Sequence, residues 1–190
     1  METVTLFISI LGALAWLPFL YDISKRSKIL GKIINYFDGT ESTTEYFEFG
    51  QKKMARGLQY IIKLSTAVIN KSFYLKDAEV YVKYVNDKTI YKGVIFWPDD
   101  FVITDEKTNK QRHLRIKQEE SVKFLHVLQK DETTDFYVIF IVENVARKNV
   151  TNFEYFEFRF INHKGRTLKL KIKREDIDFK NLLRGKDMFE

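Results

Sequence analysis

LQYIIKLSTAVIN, residues 58–70, alternates between mostly apolar and mostly polar side chains. One set of alternate positions is Leu58, Tyr60, Ile62, Leu64, Thr66 and Val68; the other is Gln59, Lys63, Ser65 and Ala67, with Ile61 as the exception. Successive side chains of a β-strand point to opposite faces of its sheet. The stretch therefore predicts a strand of an antiparallel sheet that is packed on one face and mostly solvated on the other.

Similar patterns on both sides of this strand predict further strands. They cover Glu45–Phe49, Ala78–Val85, Ile90–Trp97, Phe101–Thr104 and Val122–Leu128. The strands over 78–85 and 90–97 are expected to form a hairpin through residues 86–88, because Asn and Asp favour turns. The polar segment 105–118 is expected to be a loop or a short protruding hairpin.

FYVIFIV, residues 136–142, is apolar at both sets of alternate positions. Such a run is typical of a strand at the centre of a sheet, with both faces covered. We expect an opposing sheet to cover one face and a helix or a loop to cover the other.

The last two predicted strands specify their own register. One face of the first holds Phe156, Phe158 and Phe160, and one face of the second holds Leu168, Leu170 and Ile172. A two-residue turn would oppose Phe158 to Lys171, and apolar to charged side chains along the whole hairpin. A three-residue loop over 163–165 instead pairs Phe160 with Leu168. It also places Gly165 at the left-handed position of a type I turn with a G1 bulge.

Eight or nine short strands at hairpin-like spacing, with no helical crossovers between them, predict a mainly β domain. We expect an antiparallel β-sandwich of broadly immunoglobulin-like architecture, with a small β-barrel as the alternative. The Cys and Trp landmarks of antibody domains are missing, so the prediction concerns architecture and names no family.

VTLFISILGALAWLPFLY, residues 4–21, contains no charged side chain. Because a bilayer is spanned by about 20 apolar residues, with roughly 17 as the lower limit, we expect a single transmembrane helix here. One alternative is a cleaved signal peptide, which would have a positively charged start that this chain lacks. The others are a buried core helix and two interfacial pieces hinged at Pro18.

Basic residues follow this segment and none precedes it: Lys25, Arg26, Lys28 and Lys32. Lys and Arg flank transmembrane helices on the cytoplasmic side. We therefore expect a single-pass protein of the cell (inner) membrane, with its N-terminus outside and its C-terminal domain in the cytoplasm. The abundance of Lys, Ile, Phe, Tyr and Asn suggests a bacterial source.

Residues 22–37 place Ile23, Leu30, Ile34 and Phe37 at helical spacing. This predicts either an amphipathic helix whose basic side meets anionic lipid, or a continuation of the transmembrane helix. Asp38-Gly39-Thr40 would end the helix. The predicted division is an anchor over 1–21, a juxtamembrane segment over 22–40, a β-sandwich over 41–178 and a tail over 179–190.

Residue types and spacing favour no catalytic chemistry. The chain has no Cys, its three His residues are far apart in sequence, and its glycines show no phosphate-binding spacing. A cation site at Asp99-Asp100 and Asp105-Glu106 is disfavoured, because carboxylates beside Pro and Thr are more often turn formers. We therefore predict no enzyme activity, no metal site and no cofactor.

Basic side chains on the polar face of the last hairpin are the strongest candidate site: Arg159, Lys169, Lys171 and Lys173. They would bind lipid headgroups or nucleic acid, or they would protect an exposed edge strand against aggregation. The second reading predicts a cross-strand pair between Glu157 and Lys171.

The net charge of +6 is too small for a dense nucleic-acid-binding tail. The predicted function is a membrane-anchored binding or scaffolding module whose partners are the lipid bilayer and an unknown protein. The alternative is a membrane-docked sensor whose basic surface binds nucleic acid, a nucleotide or anionic lipid. Lys25, Arg26, Lys28 and Lys32 would contribute to that surface together with the hairpin cations.

Overall fold

The computed structural model describes residues 26–48, 51–97, 102–104, 111–113, 115–145, 149, 152–179 and 183–184. The strands are β1 (Lys28–Glu48), β2 (Gln51–Ile69), β3 (Phe73–Tyr84), β4 (Ile90–Ile95), β5 (Val102–Thr104), β6 (Gln111–His113), β7 (Val127–Leu128), β8 (Thr133–Glu143), β9 (Phe153–Asn162), β10 (Thr167–Lys173) and β11 (Leu183–Arg184). Short 3₁₀ helices cover Gln118–Glu120, Val122–Phe124 and Arg174–Asp176.

The main sheet follows the strand order β10-β9-β3-β4-β8-β2-β1-β11, and β7 pairs with β3 outside this path. All pairs are antiparallel except β1 with β11. β5 and β6 form a separate hairpin, in agreement with the predicted short hairpin in this region. The prediction of a mainly β, antiparallel domain is confirmed.

The sheet turns a corner at β4. Residues 90–93 of β4 pair with β3, whereas Val94 and Ile95 pair with β8. A Cβ atom on Gly93 would lie 2.7 Å from both Val80 of β3 and Phe140 of β8, so a larger side chain does not fit. Glycine in a strand often marks such a bend.

Aromatic rings fill the core between the two halves of the sheet. Phe136 of β8 meets Phe160 of β9 with 5.8 Å between ring centroids, and Tyr60 of β2 meets Phe156 of β9 at 5.6 Å. These strands are not neighbours in the sheet, so the rings meet across the core. The predicted inward face of β2 is confirmed: Leu58, Tyr60, Ile62, Leu64, Thr66 and Val68 are all at most 1% exposed.

A second, smaller core covers the opposite face of β2 and β8. Ile61, Ile139 and Ile141 pack there beneath Phe96 and Ile116, which come from the segments after β4 and β6. Residues 136–142 are thus buried on both faces. The prediction from their sequence is confirmed, and irregular chain supplies the second cover.

The β9–β10 hairpin has the predicted register. Phe160 pairs with Leu168, and Phe158 with Leu170. Gly165 has φ +72°, the left-handed conformation that favours glycine, and its N–H donates to the Asn162 carbonyl at 2.9 Å.

The predicted helix over 22–37 is wrong from Lys28 onward, where β1 begins. The physical reason is a β-bulge at Ile34: Ile33 pairs with Leu64 and Asn35 with Lys63, so Ile34 has no opposite residue. The extra residue changes the spacing of the apolar positions from two to three. The buried Ile29, Ile33 and Tyr36 therefore follow one another at steps of four and three. Leu30, Ile34 and Phe37, on which the helix prediction rested, have the same spacing although Leu30 is exposed.

Two further predictions are corrected. The expected helix end at 38–40 is a second irregularity inside β1, so the boundary proposed between residues 40 and 41 lies within a strand. The expected strand over 122–128 is mostly a 3₁₀ turn, followed by the two-residue β7, because Ser121 accepts a hydrogen bond from the Lys123 N–H and caps the turn.

The anchor predicted over residues 4–21 lies outside the described residues, as does most of the tail predicted over 179–190. In the described ranges, no helix is long and apolar enough to cross a membrane.

Candidate interaction surfaces

The outward side chains of β9 and β10 form the surface that we call the hairpin face: Tyr155, Glu157, Arg159, Lys169, Lys171 and Lys173. Strand pairing places these side chains directly beside one another and beside side chains of β3, in rows that cross the strands. One row is Lys169, Arg159 and Glu79, and the next is Lys171, Glu157 and Tyr81. The structure therefore brings together the four hairpin cations predicted from the sequence and adds acidic and aromatic neighbours from β3.

Two cations of the hairpin face have carboxylate partners. Arg159 Nε donates to Glu157 Oε1 at 2.6 Å, and this hydrogen bond raises the pKa of the Arg159 guanidinium. Lys173 Nζ donates to Glu175 Oε1 at 2.8 Å, which raises the pKa of the amine and lowers that of the carboxyl. The predicted pair of Glu157 with Lys171 is directly opposed in the strands, but Glu157 bonds to Arg159 instead.

Aromatic rings hold cations on the same surface. The Arg159 guanidinium lies 4.0 Å from the centroid of the Tyr81 ring, and Lys171 Nζ lies 3.5 Å from that of Tyr155. Such cation–π contacts contribute roughly 0.5–1 kcal/mol at exposed sites. They fix the orientation of both cations against the sheet.

Hydrogen bonds of Glu79 connect the hairpin face to Lys92 of β4. Lys92 Nζ donates to Glu79 Oε1 at 2.6 Å, and the Tyr81 hydroxyl donates to Glu79 Oε2 at 3.0 Å. The bond from Lys92 is the main reason that the pKa of Glu79 is lowered and that of Lys92 is raised. With Glu79, Lys92 and Glu175 included, five cations meet three carboxylates, and three of the cations are ion-paired. This pairing favours a structural role for those three cations over a phosphate site.

The cations near the start of the described chain belong to β1 and to the residues just before it. Arg26, Lys28 and Lys32 are exposed, and Lys25 lies outside the described residues. β1 runs next to β10, since a Cβ on Gly31 would come within 2.9 Å of Leu170 Cδ2. This contact is made by the buried Leu170, whereas Lys169 and Lys171 lie on the opposite face of β10. The two groups of basic residues are thus carried by two strands that are not hydrogen-bonded to each other.

A second basic surface lies at the end of the domain where the described chain begins; we call it the entry end. It comprises residues 26–28, the turn over 70–72 with the start of β3 to residue 77, the turn over 129–132 and the hairpin turn over 162–166. Asn70 Nδ2 donates to the Arg26 carbonyl at 2.8 Å, and the Lys130 N–H donates to Ser72 Oγ at 2.9 Å. Leu75 pairs with Asn162, which brings the hairpin turn to the same end.

The entry end carries a net charge of +4. Its exposed cations are Arg26, Lys28, Lys71, Lys76, Lys130, Lys164 and Arg166, and its carboxylates are Asp77, Asp131 and Glu132, so seven positive charges face three negative ones. Sequence reasoning missed this cluster because its members come from four separate segments. The only signal available was the presence of a basic residue in each of several predicted turns.

The third surface is an arm formed by the far halves of β1 and β2, residues 42–48 and 51–56. β8 accompanies β2 only as far as the pair Gly57–Glu143, and Asn144, with φ +58°, then turns the chain away. In the described part of the chain, the arm has two strands only. Glu45 and Lys52 form an ion pair across it at 2.5 Å, and Met54 is 65% exposed.

No group of three or more His, Asp or Glu side chains among the described residues is arranged to hold a metal ion. His113, His126 and His163 are all exposed and belong to separate segments. Asp99, Asp100, Asp105 and Glu106 lie outside the described residues. The chain was compared with known protein families, with curated proteins and with solved structures, and none of the three comparisons gives a match.

Proposed function

We propose that this chain is a membrane-anchored binding module whose β domain faces the cytoplasm and recognises a protein partner through the arm. The arm supports the proposal because of its length. β1 has 21 residues and β2 has 19, whereas strands in globular proteins usually have 3–10. Over residues 51–56 of the arm, only Ala55 is buried, where it joins the second core, and the other side chains are exposed.

In this proposal, the edge of β2 in the arm would supply main-chain N–H and C=O groups for hydrogen bonds to a partner. A long edge strand invites pairing with another chain, and natural proteins usually cover or shorten such edges. Beyond Glu143, the β2 edge over residues 51–56 has no further strand beside it in the described ranges. An extended segment of another protein would add to this edge, and the exposed Met54 would supply apolar contact area.

The proposal also includes an arrangement of the strands in two packed layers. β3, β9 and β10 would form one layer of a sandwich and β1, β2 and β8 the other, with β4 as the connecting corner. Ring contacts between Phe136 and Phe160 and between Tyr60 and Phe156 support this arrangement, because they join strands that are distant along the sheet. A rigid two-layer core would hold the arm in a fixed direction.

The membrane anchor rests on the sequence of residues 4–21 and on the cations that follow it. A chain anchored there would present its domain at the cytoplasmic face of the inner membrane.

Site-specific crosslinking tests the protein-partner proposal. A photoreactive amino acid replaces Met54 in the full chain, expressed in a bacterial host with its genomic neighbours, and a matched probe replaces Lys88 in the turn between β3 and β4. We expect a discrete protein adduct from position 54 only, identified by mass spectrometry. In the arm register the Lys52 N–H faces the edge and not β1, so Lys52→Pro should abolish the adduct, whereas Lys52→Gln should retain it.

Other crosslinking results would contradict the proposal or change the partner. Adducts of equal intensity at positions 54 and 88, or none at position 54 in intact membranes, would contradict the arm as the binding element. An adduct with a second copy of the chain would identify the partner as the chain itself.

Binding of nucleic acid, nucleotide or anionic lipid by the hairpin face is the second candidate function. It is favoured by the exposure of Lys169 and Lys171, which have no carboxylate partner in the described part of the chain. The ion pairs of Arg159 and Lys173 weigh against it, because each of these cations already has a carboxylate partner.

A further inference from the structure

We infer that the entry end is a docking surface for anionic lipid headgroups, which holds the β domain upright on the bilayer and points the arm away from it. The inference rests on the proposed membrane anchor and deepens it: it assigns an orientation to the domain and a lipid class to the surface. The residues concerned are those of the entry end defined above, and none belongs to the hairpin face or to the arm.

Geometry places this surface close to the expected membrane. Five residue steps separate Tyr21, the last residue of the apolar segment, from Arg26, and a fully extended chain covers at most about 18 Å in that distance. The Arg26 carbonyl is hydrogen-bonded to Asn70, so the turn over 70–72 cannot lie far from the point where the chain would leave the bilayer.

Charge makes the surface complementary to an anionic leaflet. The net charge of +4 is spread over four segments and is exposed to solvent. Basic residues near a membrane surface are attracted by phosphatidylserine- or phosphatidylglycerol-type lipids, and the attraction falls off within a Debye length of about 10 Å at 0.1 M salt.

Tyr74 adds an amphipathic contact. It is the second residue of β3, it is 67% exposed, and it belongs to the same end of the sheet as the turn over 70–72. Tyr is enriched at membrane–water interfaces because its ring is apolar and its hydroxyl is polar.

The arm lies at the other end of the domain. β1 runs from the entry end at Lys28 towards Glu48, and β2 returns from Gln51. Docking of the entry end would therefore direct the arm into the cytoplasm, where a protein partner can reach it.

Fluorescence quenching on the full chain tests the inference. The chain contains no Cys, so His163→Cys provides a single dye site at the entry end and Thr89→Cys provides one in the turn between β3 and β4, at the opposite end of β3. Each labelled chain is inserted from detergent into preformed vesicles of phosphatidylcholine alone or mixed with phosphatidylglycerol. A small amount of headgroup spin-labelled lipid serves as the quencher.

We expect stronger quenching at position 163 in the mixed vesicles than in phosphatidylcholine, and a return to the phosphatidylcholine level at 1 M salt. Quenching at position 89 should be weak in both. Equal quenching at position 163 in the two kinds of vesicle would overturn the inference.

A matched pair of charge variants identifies the surface. Lys71→Gln with Lys164→Gln and Arg166→Gln removes three charges from the entry end. Lys88→Gln with Lys117→Gln and Arg174→Gln removes three from elsewhere, and circular dichroism verifies that both variants fold. Each entry-end cation should contribute about a fivefold factor, so the first variant should lower the docked-to-undocked ratio about 100-fold and the second should leave it unchanged. Equal losses in both would overturn the inference.

Two controls separate this inference from the proposed function. Flotation with vesicles tests the anchor: a chain that floats but shows no lipid-dependent quenching at position 163 retains the anchor and refutes the docking surface. A chain that does not float refutes both. Addition of an oligonucleotide to chains in phosphatidylcholine vesicles tests the competing ligand, and a response at position 163 to the oligonucleotide but not to anionic lipid would replace lipid by nucleic acid.

Discussion

Tyr60 and Tyr84 link the two halves of the sheet at the scale of single residues. Their hydroxyl oxygens lie 3.0 Å apart, and both side chains are fully buried. Tyr60 belongs to β2 and Tyr84 to β3, which are separated by β4 and β8 in the strand order. The hydrogen bond therefore crosses the core and satisfies polar atoms that would be costly to bury alone.

The Tyr60–Tyr84 bond should behave as a coupled pair. Tyr84→Phe should lower the free energy of unfolding by about 1–3 kcal/mol, because it leaves a buried hydroxyl without this partner. The double variant with Tyr60→Phe should cost less than the sum of the single variants. Urea denaturation of all four chains measures the coupling, and strict additivity would contradict it.

Burial of the Tyr84 phenol should make stability decline at alkaline pH. Burial raises the pKa of Tyr84 to about 12 from its ordinary value of 10. Since the folded state favours the neutral phenol, this contribution to stability is fully present below pH 10 and is lost as the pH rises towards 12. The loss amounts to roughly 2–3 kcal/mol. Melting curves between pH 9 and 12 should show a smaller decline for Tyr84→Phe than for the natural chain, and identical declines would refute the assignment.

Gly57 and Gly165 should respond very differently to alanine. At Gly57, a Cβ would lie 2.0 Å from the Val142 carbonyl oxygen of the paired strand, so β2 and β8 would have to separate. We expect a loss of more than about 4 kcal/mol, or failure to fold. Gly165 has open space around it and φ +72°, so Gly165→Ala should cost only about 1–2 kcal/mol. Chemical denaturation ranks the two variants, and similar losses would contradict the distinction.

At the scale of single elements, the position of β10 explains the Lys residues of the hairpin face. β10 is the end strand of the sheet, and its alternating Lys residues point outward while Leu168, Leu170 and Ile172 are buried. Lysine on an end strand discourages pairing with the edges of other molecules. The ion pairs around Arg159 and Lys173 agree better with this protective role than with an open phosphate site.

Replacement of Lys169, Lys171 and Lys173 by Gln separates the two roles. We expect unchanged binding to anionic liposomes and nucleic acid across a salt series, together with stronger light scattering, because the β10 edge loses its charges. Weaker binding in the triple variant, with a loss that shrinks as salt rises, would instead establish the hairpin face as an anion site.

At the scale of the whole molecule, the anchor predicted from sequence and the β domain are expected to be separable. The two cores of the domain are built from described residues at or beyond Ile29, and none of these precedes the domain's first strand. If the segment over 4–21 spans the membrane as predicted, it does not belong to these cores.

Deletion of residues 1–21 should release a soluble, folded, β-rich protein. Circular dichroism and size-exclusion chromatography measure this outcome, and a helical spectrum or failure to fold in any buffer would refute the two-part architecture. Orientation is tested in the full chain by a reporter fused after Glu190. Activity of a reporter that works only in the periplasm would contradict the cytoplasmic placement.

Local periodicity accounts for the features that sequence predicted well. The alternating pattern of residues 58–68 specifies the buried face of β2, and the apolar run over 136–142 specifies burial on both faces of β8, because each follows from the two-residue repeat of a strand. The register of the β9–β10 hairpin was predictable for the same reason, with Gly165 determining the length of the turn.

Tertiary structure alone decided the rest. The bulge at Ile34 breaks the repeat of β1, so a strand looked helical until its pairing with β2 was known. The corner at Gly93, the partners of the hairpin cations and the entry end each depend on residues distant in sequence that strand pairing brings together. Sequence determined which faces are buried because that information is local, whereas the corner and the entry end are assembled by long-range pairing, which no local pattern encodes.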